Sequence, residues 1–127
     1  MSDEPAGNID VADALKTLRG SLLSNPVRLA IMALLAARDW VSFSTIARAL
    51  NLTPGNLWSH IDKLRSQGLI EIRYAPSAST RPKLYIRITR KGIRELVQYM
   101  RAVKAVEETI KDRPALEKTP ETQHSPS

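Results

Sequence analysis

The side chains with chemical potential in this 127-residue chain are cations, and they are clustered. Between positions 38 and 94 stand eleven Lys or Arg (Arg38, Arg48, Lys63, Arg65, Arg73, Arg81, Lys83, Arg87, Arg90, Lys91 and Arg94) against three acids, Asp39, Asp62 and Glu71. Residues 1–37 and 95–127 each carry one more acid than base, so the middle holds all of the formal net charge of +6. A localised positive field suits a polyanion, either a nucleic acid or an anionic membrane surface. The plainer use of the same residues is a solvated basic surface with no partner.

Catalytic chemistry finds little support. With no cysteine there is no disulfide scaffold, thiolate metal site or cysteine nucleophile. His60 and His124 stand too far apart for a histidine metal cluster, the carboxylates are scattered, and no glycine-rich phosphate loop or Ser/His/Asp set is present. The expectation is therefore a protein that is not an enzyme and takes no cofactor and no metal. No run approaches the ~18 apolar residues of a membrane span. Met1 to Asn8 is acidic rather than basic and then apolar, so no membrane association and a cytoplasmic location are expected. The length suits one domain, and 43% apolar residues suffice for a small core.

The elements that position the cations follow from periodicity. Residues 1–8 are polar and expected to be disordered, and a single domain is expected over 9–112. From Ile9 to Leu23, Val11, Ala14, Leu15, Leu18 and Leu22 form a helical stripe. Asn25-Pro26 supplies a cap and a first-turn proline for a second helix to about Ala37. Trp40-Val41-Ser42 is long enough only for a bridge of strand. Ser42 or Ser44 can cap a third helix to Leu50. Thr53-Pro54 opens a fourth over 54–67, stopped by Gly68, with Leu57, Ile61 and Leu64 turned inward.

After Gly68 the period changes from 3.6 to 2. Ile70, Ile72 and Tyr74, then Leu84, Ile86 and Ile88, alternate with polar residues on two strands, a hairpin over 69–88 with a long polar tip. Thr89 caps a last helix over 90–112 carrying Ile93, Leu96, Met100, Val103 and Ile110; residues 113–127 read as a disordered tail. The fold class is thus mainly α with a small β-hairpin.

Helix, short turn, helix, then a basic hairpin is an order with a physical use. One helix fits the major groove of duplex DNA, its predecessor crosses the backbone, and the hairpin reaches the adjacent groove or phosphates. The fourth helix would enter the groove with Thr53, Gly55, Asn56, Trp58, Ser59, Asp62, Lys63 and Ser66 outward. Asn56 suits an adenine edge, Ser59 a base or phosphate, and Trp58 a thymine methyl or a sugar. Lys63, Arg81 and Lys83 suit phosphates, and the helix start at Thr53 favours one too. With Ser44 and Pro54 at the two helix starts, these are the candidate DNA-binding residues. Plainer uses stay open: Trp58 packing on the third helix or hairpin, Asn56 satisfying the helix start, His60 as a half-buried structural residue, and Arg73 and Arg87 on a solvated face. Asp62 argues mildly against the reading unless it bonds a cytosine amine or pairs with Arg65 or Ser66.

Asn25 to Leu35, Val41-Ser42-Phe43, Leu52 to Leu64, Gln67-Gly68-Leu69-Ile70 and Ile88-Thr89-Arg90-Lys91-Gly92 together resemble the winged helix-turn-helix transcriptional regulators. The similarity is greatest to small single-domain regulators related to the MarR and ArsR groups, many of them archaeal or bacterial. The resemblance implies a homodimer on pseudo-palindromic duplex DNA, a recognition helix at 54–67, and a wing whose tip carries Arg81. The cysteine and metal-ligand clusters of the redox- and metal-sensing members are missing here. The first and last helices are expected to serve dimerisation through Leu15, Leu18, Leu22, Leu96, Met100, Val103 and Ile110; packing within one monomer is the alternative. A small-molecule effector between the dimer helices and the DNA-binding lobe has a place in this scheme, and no residue identifies one. Against the sequence-specific regulator stand two further readings: a winged-helix protein-interaction module and a non-specific architectural DNA-binding protein.

Overall fold

Side-chain oxygens fix the starts of four of the five described α-helices. Asn25 Oδ1 accepts from the backbone N–H groups of Val27 and Arg28, Ser42 Oγ from Thr45, Thr53 Oγ1 from Asn56, and Thr89 Oγ1 from Gly92. Each such cap contributes about 1 kcal/mol. In the computed structural model, which describes residues 9–76 and 82–113, they open α2 (Pro26–Ala36), α3 (Phe43–Leu50), α4 (Pro54–Ser66) and α5 (Arg90–Lys111). Before them stands α1 (Val11–Gly20). The expectations for residues 1–8, for the tail from 114 and for Arg81 lie outside the described residues.

The first helix is shorter than its apolar stripe suggests. Gly20 is a poor helix former, and Ser21 turns extended and accepts from the Leu23 N–H, so Leu22–Ser24 becomes a separate 3-10 turn. The stripe ran on because both pieces bury apolar residues, in different places. Leu23 enters the main core with Ile31, Leu35, Ile46, Leu57, Ile61, Leu64 and Ile86, whereas Ala14 joins Ala102 and Ala105 of α5 in a second cluster. Alanines at that contact let the two helices pack closely.

Three strands, β1 (Val41–Ser42), β2 (Ile70–Ala75) and β3 (Lys83–Ile88), form one antiparallel sheet in the order β1-β3-β2. Ile72 pairs with Ile86 and Val41 with Ile86 from the other side, which puts the apolar row on the helices. On the opposite face the expected solvated arginines are not free. Arg73 and Arg87 lie over the Trp40 ring at 4.4 and 4.5 Å from its centre, and Arg87 also bonds Glu71 and Asp39 at 2.9 and 3.4 Å. The cause is the register: Glu71 stands opposite Arg87, so the pleat lines up charge partners and an aromatic on one face.

A compact joint ties α4 to α5. Gly68 takes the left-handed conformation at φ 76°, and the exposed carbonyls there find donors from the start of α5. Lys91 Nζ donates to the Gln67 carbonyl (2.8 Å), Thr89 Oγ1 to that of Gly68 (2.6 Å) and the Thr89 N–H to that of Leu69 (3.0 Å). Among the described residues no helix is long and apolar enough to cross a membrane.

Candidate nucleic-acid interface

The outward face of α4 is set by its inward one. Leu57, Ile61 and Leu64 are fully buried, so at 100° per residue Gly55, Ser59, Asp62 and Ser66 form the ridge diametrically opposite, all exposed. Asn56 and Lys63 flank this ridge on one side, and Trp58 and Arg65 on the other, toward β2. Thr53, Pro54 and Gly55 leave the helix start exposed. Thr53 supplies the cap and Asn56 contributes its backbone N–H to it, so the Asn56 side chain is not what closes the helix start.

Trp58 takes the plainer of its expected uses, packing on the third helix, and keeps part of its ring in the open. Its ring stands 6.1 Å from that of Phe43 on α3, tilted by 52°, yet 38% of the residue stays accessible. Beside it, Arg65, Ile70, Ile72 and Tyr74 line a cleft of about 390 Å³ between α4 and the edge strand β2. A second cleft of about 300 Å³ lies between the start of α3 and the base of the wing, lined by Ser42, Phe43, Ser44, Pro82, Lys83 and Leu84. It brings Ser44 and Lys83 together across 39 positions of sequence, a hydroxyl and an ammonium on the walls of one groove. Tyr74, mostly exposed, was not among the candidates; an aromatic in strand alternation gives no sign that it will stand at an open edge.

Charge on this surface is partly internal. Asp62 Oδ1 accepts from Arg65 Nη2 at 2.8 Å, three residues on along the same helix. His60 sits half-buried on the α2 side, where its Nδ1 meets Arg28 Nη1 at 3.3 Å; Arg28 Nε donates in turn to the Leu22 carbonyl at 2.8 Å. Because a guanidinium can only donate, His60 Nδ1 is the acceptor and the ring is neutral. Burial first, then Arg28 and Lys63, hold its pKa below the usual histidine value.

The residues expected at a dimer contact divide. Leu18 packs between α1 and α5, and Leu22 and Leu96 against the main core, all within this chain. Leu15, Met100, Val103 and Ile110 are exposed, at 53, 47, 37 and 59%, together with Val11, Ile93 and Val97. Seven large apolar side chains thus stand in the open on two packed helices.

Comparison with known proteins follows the same outline. Residues 27–106 match the family of winged helix DNA-binding domains. An uncharacterised protein of Methanocaldococcus jannaschii is 37% identical over 71 residues, 56% of this chain and 76% of its own. A transcriptional regulator homologue from Pyrococcus horikoshii superposes with a TM-score of 0.70 at 38% identity, over 77% of this chain and 97% of that one. S. aureus MepR, solved in complex with DNA, superposes with a TM-score of 0.60 at 22% identity over 88% of each chain, a likeness of fold.

Proposed function

The chain belongs to the winged helix DNA-binding domain family, and from that premise we propose a sequence-specific transcriptional regulator that holds duplex DNA as a homodimer. The family is one of DNA-binding modules and not of enzymes. In this reading α4 lies in the major groove and the wing meets the adjacent groove or backbone. The observation that carries it is the exposed face of α4, where small and hydrogen-bonding residues form the ridge and Lys63 stands beside it. Small side chains let the helix backbone approach base edges. Asn56 and Ser59 then bond them, and Trp58 packs on a methyl or sugar. Phosphates fall to Lys63, to the helix start at Thr53, Pro54 and Gly55, and to the groove holding Ser44 and Lys83. Arg81 of the wing tip joins them on sequence grounds.

Dimerisation is supported by the exposed apolar residues of α1 and α5, which a solitary chain leaves in water. A second copy on that face gives two recognition helices, matched to half-sites roughly 34 Å apart. The MepR complex supports DNA as the partner through shared fold.

The test is fluorescence anisotropy with the duplex upstream of the protein's own gene and a scrambled duplex, across a salt series. Tighter binding to the upstream duplex with a steep salt slope is expected. Equal, salt-sensitive binding to every duplex marks an architectural protein, and no binding at low salt returns the aromatic face to a protein partner.

A further inference from the structure

The stretch 38–94 has only three acids, and two have structural employment: Asp39 and Glu71 both bind Arg87 on the Trp40 face of the sheet. Asp62 has no such duty. Its partner Arg65 is on its own helix, three residues away, with both side chains about half exposed (55% for Asp62). Exposed pairs of that kind add little to a helix. Asp62 nevertheless occupies the ridge of α4 most distant from the core, between Ser59 and Ser66, in the most basic part of the chain. On a surface built for phosphates, a carboxylate there weakens contact with any duplex that offers it no donor. Such a cost is the mark of a residue that selects among partners.

We propose that Asp62 reads one cytosine in each half-site, its carboxylate accepting from the N4 amine in the major groove. This rests on the regulator reading above. Guanine presents two acceptors, N7 and O6, and thymine O4 with a methyl, so both repel or exclude a carboxylate. Adenine offers N6–H₂ beside the acceptor N7, which opposes the second carboxylate oxygen. Cytosine alone offers a donor without an acceptor of its own next to it. Arg65 engages Oδ1, and Oδ2 is the oxygen assigned to the base. Small neighbours, Ser59 and Ser66, leave the approach open.

The experiment is selection from a randomised duplex library by the full chain, wild type and Asp62→Asn, followed by titration of the selected duplexes. The wild type is expected to enrich one invariant cytosine per half-site. Asp62→Asn should move that single position toward adenine, whose N6 and N7 suit an amide, with about a tenfold change in the C-to-A affinity ratio and other positions unmoved. Because Asp62 is exposed, the variant should keep the wild-type circular dichroism and unfolding midpoint. If Asp62→Asn instead binds all duplexes more tightly with its preferences unchanged, Asp62 is only a repulsive charge and the proposal is overturned. A wild type that enriches no sequence overturns the regulator reading as well; the two failures are told apart because in the first the wild type still selects.

Discussion

Gly92 packs against the carbonyl oxygen of Leu69 so closely that a Cβ at position 92 would overlap it. That oxygen accepts from the Thr89 N–H and is not free to retreat, and Met32 Cε and Ile88 Cγ1 close the other sides. Gly92→Ala should therefore destabilise the fold by about 1–3 kcal/mol, although alanine is the better helix former. Urea unfolding checks it. Gly55→Ala, with nothing within 4 Å, is the control and should leave the midpoint unchanged or raise it.

His60 makes stability depend on pH. Its pKa is lowered in the folded chain, by burial first and then by Arg28 and Lys63, so the unfolded chain takes up the proton at a higher pH. Its contribution is complete above about pH 6.5 and is lost as pH falls through the lowered folded value. Urea titrations from pH 8 to pH 5 should show the decline, and His60→Gln should flatten it. An equal decline in the variant would assign the effect to other groups.

Lys83 stands beside Ser44 in the groove at the base of the wing. Lys83→Ala should weaken binding to cognate and scrambled duplexes alike and reduce the salt slope by about one unit, as for one lost phosphate contact. A change of sequence preference at constant slope would place Lys83 against a base instead.

Met100 lies on the exposed apolar side of α5. Met100→Glu should keep the monomer fold, abolish the proposed dimer in sedimentation equilibrium at micromolar concentration, and lower duplex affinity at least tenfold. A variant that still sediments as a dimer would move the interface elsewhere.

The sequence made α2, α4 and the wing strands legible because their signals are local: Asn25-Pro26, Thr53-Pro54, Gly68 and a change of period all act within a few residues. The end of α1 was obscured because two neighbouring pieces share one apolar rhythm while burying it in different clusters. Contacts made between distant positions were out of reach. Arg28 and His60 lie 32 residues apart, and Arg87 reaches Asp39 across 48. The helical face of α4 was readable from spacing alone, since burying Leu57, Ile61 and Leu64 fixes what points outward. Which apolar residues of α1 and α5 remain in solvent was not, because the stripes alone do not say how the two helices are rotated against each other.

The two tryptophans divide the chain's intrinsic fluorescence between the two sides of the wing sheet. Trp58 stands on the helix side of the sheet and is partly in solvent, so on the proposed binding mode a duplex is expected to change its surroundings directly. Trp40 is covered by two guanidinium groups on the other side. Its emission is expected to report on the integrity of the sheet and to change less than that of Trp58 in a DNA titration. Under the proposed function the molecule thus carries a probe and an internal reference, and Trp40→Phe should leave the probe to be read without any label.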